Sequence, residues 1–201
     1  MKVAFRQQAS EYDCVPTTFI NALSYLFERG EIPPFVVHRI YKDCLDIDYS
    51  LGTSRRAIKD LGFWLSNYKE ESYEKFAVDS KFIRGSQVHL KENSIIIRCI
   101  NSQGVALVRV HLSENDWHYI LGFRLEGEWL YCFDPLPCSQ RFINNEAVQF
   151  IESTGQQDPN LRIRCDWLDK VIGKAEKTDE HKYVLGRSDH RECLLLNRIH
   201  P

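Results

Sequence analysis

The apolar residues of this chain change their period near Phe63, and that change restricts the fold more than any other feature. Upstream, Phe19, Ile20, Leu23, Leu26 and Phe27 recur at three- and four-residue intervals, Pro16 suits a first helical turn, and Gly30 ends the run. This spacing predicts a buried amphipathic helix over about 16–29. A second helix is expected over 34–44, with Phe35, Val36, Val37, Ile40 and Tyr41 as its apolar face. A third, capped by Gly52-Thr53-Ser54, carries Ala57, Ile58 and Leu61 up to Gly62. Downstream, β-branched and aromatic runs at 64–68, 94–99 and 105–110 read as strands. Two more, 118–124 and 128–133, join across Leu125-Glu126-Gly127 as a hairpin. Helices first and antiparallel strands second predict an α+β domain with N-terminal helices packed on an antiparallel sheet.

Beyond Asp134 the pattern is weaker. A short helix is expected over 145–153, a loop at 155–159, a charged helix over 167–177, and a final hairpin from 183–186 and 192–199. With no repeat, low-complexity tract or linker, residues 1–201 read as a single domain. Its core spans 1–154, and a C-terminal extension, 155–201, completes the sheet.

Bulk properties narrow the functional classes. A chain of 201 residues that is 43% hydrophobic can bury a sizeable core. Twenty-six basic against twenty-eight acidic side chains leave a net charge of -2, which argues against a nucleic-acid footprint or an anionic membrane face. The N-terminus turns polar at once, and runs such as Ile95-Ile96-Ile97 are too short to span a bilayer, so a cytoplasmic protein is expected. Seven cysteines at irregular intervals, with no CxxC pair, point to reduced thiols, no metal site and no cofactor.

One cysteine stands apart. Cys14 precedes the first helix directly, where the helix N-terminus favours negative charge, and a thiol is a nucleophile only as thiolate. A small buried hydrophobe is the ordinary fate of a free cysteine, so its companions decide the matter. Acyl transfer through a thiolate needs donors for the developing oxyanion. The Cys14 N–H is one, and the amide of Gln8, six residues upstream, or of its neighbour Gln7 is another. His118 stands in an apolar strand, a rigid mount suited to a general base. If the hairpin forms, Asp134 at the end of its second strand becomes a neighbour of His118 and can orient the imidazole.

Gln8-x5-Cys14 before a helix, then His118-Tyr119-Ile120 and Asp134-Pro135 across a hairpin, resembles the papain-like cysteine peptidases. The likeness is strongest to the bacteriocin-processing, double-glycine branch and its stand-alone relatives, and it covers about residues 5–136. It implies a papain-like fold with Cys14 as nucleophile, His118 as base and then acid, Asp134 as orienting group and Gln8 as oxyanion donor. Where that branch has Gly after the nucleophile, this chain has Val15 and then Pro16, which argues against double-glycine leader cleavage. Val15 and Trp117, beside the thiol and the imidazole, are assigned to the substrate site.

The expected activity is hydrolysis of a peptide or isopeptide bond in a peptide or protein substrate, through an acyl-thioester and without metal or cofactor. Two alternatives use the same residues: a non-proteolytic acyltransferase or amidase, and a catalytically inert peptide-binding module. His38, His89 and His111 have no partners at metal-ligand spacing, and His181, His190 and His200 fall in polar segments expected to be exposed.

Overall fold

The N-terminal periodicity folds as three helices, α1 (Cys14–Leu26), α2 (Pro34–Cys44) and α3 (Arg55–Asn67), in a computed structural model that describes residues 1–45, 52–113, 116–136, 145–171 and 182–200. Seven strands follow: β1 (Val78–Arg84), β2 (Val105–Ser113), β3 (Asp116–Glu126), β4 (Trp129–Phe133), β5 (Val148–Phe150), β6 (Leu161–Arg164) and β7 (Glu192–Arg198). They form one sheet in the order β1-β7-β2-β3-β4-β6-β5, with every neighbouring pair antiparallel. Two short helices, α4 (Ile95–Asn101) and α5 (Cys165–Leu168), complete the α+β fold.

The sheet is buried on both faces, and the strands show it by parity. Val105 and Leu107 of β2 and Leu194 and Leu196 of β7 pack with Phe19, Leu23, Ile40, Ile58 and Leu61 of the three helices. Ala106, Val108, Cys193 and Leu195, one residue out of phase, pack with Ile96 and Ile100 of α4 and with Tyr183 and Leu185 on the other face. A strand covered on both sides needs apolar residues at consecutive positions, hence the unbroken Cys193-Leu194-Leu195-Leu196. Each such side chain contributes about 1.5–3 kcal/mol by leaving water.

The predicted 118–133 hairpin is present: β3 and β4 pair from Glu126–Trp129 to Leu121–Phe133, and Gly127 takes φ 58 in the turn. Several other expectations are corrected. The 64–68 segment is the last turn of α3, because Ile58, Leu61 and Leu65 keep helical spacing past Gly62 and bury one face. The 94–99 run is helix α4: Ser94 Oγ accepts from Ile97 N at 3.2 Å, capping it, while Ile96, Cys99 and Ile100 share a buried face. The segment 145–153 holds strand β5, not a helix. Asn145 Oδ1 accepts from both Ala147 N and Val148 N, a local turn that excludes a helical start, and β5 pairs with β6.

No final hairpin forms. β7 inserts between β1 and β2, while Val184 bridges His111 of β2 instead. β1 and β6 carry no clear sequence signal and were not expected. Of the charged helix expected at 167–177, the described part belongs to the single turn α5 and its exit, and 172–177, like Cys138 and His181, lies outside the described residues. No helix among the described residues is long and apolar enough to cross a membrane.

Candidate active site

Cys14 opens α1, so its N–H belongs to the first turn, whose donors have no intrahelical partners. Two contacts fix that turn. The Thr18 hydroxyl lies 2.7 Å from the Cys14 carbonyl and 3.1 Å from the Tyr119 carbonyl, tying the helix start to β3. Asp13, just before the helix, turns its carboxylate away from the helix donors. It accepts instead from Ala9 N at 3.0 Å and from Ser10 N at 2.7 Å. Desolvation pushes the Asp13 carboxyl upward, but the hydrogen bonds from Ala9 and Ser10 outweigh it and hold the pKa below the ordinary value. The segment before the nucleophile is thereby folded back onto the helix start.

β4 stops at Phe133, opposite Leu121, so His118 stands on β3 beyond the end of its neighbour strand. Asp134 follows directly and fills the gap, and His118 Nε2 lies 2.6 Å from Asp134 Oδ1, both groups being buried, at 4% and 0% exposure. Burial is the largest influence on the imidazole and pushes its pKa down. The charge and hydrogen bond of Asp134, with a smaller contribution from the Cys14 thiol, outweigh it and raise the pKa to about 10. With Nε2 taken by Asp134, Nδ1 is the ring nitrogen left for the thiol.

Gln8 reaches the same place by backbone and side chain. Its N–H donates to Pro135 O at 2.8 Å, next to Asp134, and its Nε2 donates to Ser10 O at 2.8 Å. The Gln8 Oε1 atom is buried and has no hydrogen-bond partner among the described residues. Gln8 lines the cleft with Cys14 and His118, whereas Gln7 is exposed and does not. The cleft measures about 1570 Å³, more than a drug-sized ligand fills. Trp117 lines it too, its ring held edge-on against His111 at 4.9 Å and covered by the Arg109 guanidinium at 4.1 Å. Val15 borders the cleft but is only 2% exposed and packs into the helical core, so it serves the fold as well as the cleft wall.

Two residues that hold the site gave no sequence signal. Asn160 clamps the Asp134 backbone from both sides: its Oδ1 accepts from Asp134 N at 2.7 Å and its Nδ2 donates to Asp134 O at 2.8 Å. The Tyr183 hydroxyl donates to Asp134 Oδ2 at 2.5 Å, while Leu136 N donates to Oδ1 at 2.8 Å. Tyr183 takes φ 59, a left-handed conformation costly for a residue with a Cβ, and exchanges backbone hydrogen bonds with His111 and, through Val184, back again.

The other described cysteines differ from Cys14 in surroundings. Burial pushes the thiols of Cys99 and Cys165 up to about 11, and those of Cys44, Cys132 and Cys193 upward as well. None of them lines the cleft. Among the described residues no group of three or more His, Cys, Asp or Glu is arranged to hold a metal ion.

A thiol at a helix N-terminus and an imidazole held by a buried carboxylate thus line one cleft, groups of the kind that nucleophilic attack on a carbonyl carbon requires. This chain matches no protein-family model and no curated protein.

Proposed function

We propose that the chain is a cysteine hydrolase of papain-like fold that cleaves a peptide or isopeptide bond. The observation that carries this reading is the His118–Asp134 contact of 2.6 Å in a cleft that also contains Cys14. Asp134 holds the ring by Nε2 and stabilises the imidazolium. The Cys14 sulfur, having passed its proton to His118 Nδ1, attacks the substrate carbonyl carbon. The oxyanion is met by the Cys14 N–H and by the second Gln8 Nε2 hydrogen, the first being used on Ser10 O. When the C–N bond breaks, the His118 proton passes to the leaving amine and an acyl-thioester remains. Water, deprotonated at Nδ1, then attacks the thioester, releasing the acid and the thiol. An open cleft of this size suits a polymer such as a peptide or protein. Six described cysteines, all free, suit a reducing compartment such as the cytoplasm.

The test is site-resolved iodoacetamide alkylation, followed by mass spectrometry against pH in the wild type and in His118→Ala. The expected result is that Cys14 reacts fastest, already below neutral pH, and loses that advantage in the variant. An ordinary thiol titration at Cys14, unchanged by loss of His118, would replace this reading with that of an inert binding module.

A further inference from the structure

The cleft continues past the thiol along the ends of the strands, and the register of the sheet dictates what lines it. Tyr119 pairs with Arg109 across β3 and β2, and Arg84 pairs with Glu192 across β1 and β7. Val108 pairs with Cys193, so Arg109 and Glu192 are the next residues outward on their two strands. Directly paired residues project from the same face. The sheet therefore carries a row of polar side chains from β1 to β3 on the face covered by α1 and α3. Where Leu194 and Leu107 form core further down the same strands, the last rung is charged.

Glu192 is the centre of this row and is only 2% exposed. Its carboxylate accepts from the Tyr119 hydroxyl and from Arg55 Nε in the first turn of α3, and lies 3.6 Å from Arg109 NH1. Arg109 is fixed further by donating to His190 O at 3.2 Å and by lying over Trp117. A single buried carboxylate thus orients two guanidinium groups and neutralises only one. Arg55 spends its Nε here, and its two terminal nitrogens have no partner among the described residues. Lys59 and Arg84 are exposed, cleft-lining and without ion-pair partners among the described residues, and Arg56 makes only a loose contact of 3.4 Å with Asp60. Arg55, Arg56, Lys59, Arg84 and Arg109 outnumber the acids of the same lining, Glu11, Asp60 and Glu192. Such an excess of positive charge in a cleft attracts carboxylates, for which arginine has the matching planar geometry. The protein's net charge of -2 makes a cationic cleft a local construction, not a by-product of composition.

We infer that this arm of the cleft, built from Arg55, Arg109 and Arg84 around the buried Glu192, binds carboxylate groups, so that the substrate is an acidic peptide. The inference deepens the hydrolase reading of the same cleft but does not depend on turnover. The carboxylates are acidic side chains or a free C-terminus, which present the same chemistry to the same guanidiniums.

The experiment measures binding by Cys14→Ala, in which hydrolysis is removed. Dye-labelled short peptides of matched length, rich in Glu, Gln or Lys, each with a free or an amidated C-terminus, are titrated and followed by fluorescence anisotropy. The Glu-rich peptides should bind at least about tenfold more tightly than the Gln-rich ones, and Lys-rich peptides most weakly. Weaker binding of the Glu-rich and Gln-rich peptides alike on amidation adds the terminal carboxylate as a ligand; a Glu-over-Gln preference that survives amidation assigns the side chains. Arg55→Gln and, at an exposed position, Arg84→Gln should each reduce the Glu-over-Gln ratio of the amidated peptides by about threefold or more. Equal affinity for all peptides, no binding by any, or a ratio unmoved in both variants overturns the inference. Acid-selective binding by Cys14→Ala, with no cleavage by the wild type, instead removes the hydrolase reading and leaves this one standing.

Discussion

The site draws on two regions built on opposite principles. Residues 8–18 form one short stretch in which most contacts are local: Asp13 binds Ala9 and Ser10, Gln8 binds Ser10, and Thr18 binds the Cys14 carbonyl. Two bonds, Gln8 N to Pro135 O and Thr18 to Tyr119 O, tie it to the sheet. The stretch from 160 to 192 contributes through contacts that span the chain. Asn160 and Tyr183 hold Asp134, and Glu192 holds Tyr119, Arg55 and Arg109. The first region presents the reacting atoms, and the second restricts where their partners can be. Groups that react must reach the cleft, whereas those that position them are buried, and a buried polar group left without a hydrogen bond is costly. Loss of a reacting group should therefore show in rate, and loss of a positioning group in both rate and stability.

The sharpest division is expected at His118 and Asp134. His118→Ala should slow Cys14 alkylation near pH 6, or hydrolysis once a substrate is known, by about 10²–10⁴, the usual contribution of a general acid–base. The raised His118 pKa also carries a stability signature. A histidine that holds its proton more tightly when folded contributes stability that is complete below the unfolded value, about 6.5. That contribution falls as pH rises and is gone above the folded value of about 10. Denaturant melts of wild type should therefore lose stability between those limits, and His118→Ala should lack that component of the slope. Asp134→Ala should be worse for folding, costing about 3–5 kcal/mol in chemical denaturation, because it strands a buried imidazolium and the Tyr183 hydroxyl. An Asp134→Ala protein as stable as wild type would mean that His118 is buried neutral.

The same division explains what the sequence discloses. The α1 period, the Gly127 turn and the Asp134–Pro135 step are local patterns, and from them the adjacency of His118 and Asp134 follows by strand register alone. Gln8 was distinguishable from Gln7 only by the turn Asp13 imposes, which brings one of the two amides to the cleft. Asn160 and Tyr183 were illegible, since an Asn before a short strand and a Tyr after a polar segment look like ordinary loop residues. Their meaning arises from where β6 and the Val184 bridge lie beside β4 and β2. The misread elements fail for a related reason. The isoleucines of α4 suit strand and helix alike, and the Ser94 cap decides between them. β5 is a strand because β6 is available to pair with it.

Tyr183→Phe tests the positioning region more gently. It removes one oxygen and leaves the ring packed between the core and Phe150, 5.9 Å away. Asp134 Oδ2 loses a charge-assisted donor, so a stability loss of about 1.5–3 kcal/mol is expected. A structural role alone would end there. If Tyr183 positions the dyad, the alkaline limb of Cys14 reactivity should also shift, because the carboxylate that sustains the imidazolium is altered. An unchanged pH profile with lowered stability would confine Tyr183 to the fold.

The smallest effect is expected where the two regions meet away from the chemistry. α3 lies close against β7 at Gly62, where a Cβ would come within 2.7 Å of Leu194 Cδ1. Gly62→Ala therefore overpacks this contact, at about 1–3 kcal/mol, while the helix gains about 1 kcal/mol of propensity. The net expectation is a loss of about 1 kcal/mol in thermal or denaturant melts. Cys14 is carried by α1 and β3, so its alkylation rate should not change. Arg55 is carried by the first turn of α3 and meets Glu192 at the start of β7, so a helix displaced from that strand alters the charged arm first. A variant that keeps thiol reactivity but weakens the preference for acidic peptides would separate the two arms of the cleft. One that lost thiol reactivity as well would show that α3 and β7 support the nucleophile, and that the local region is less self-sufficient than its hydrogen bonds indicate.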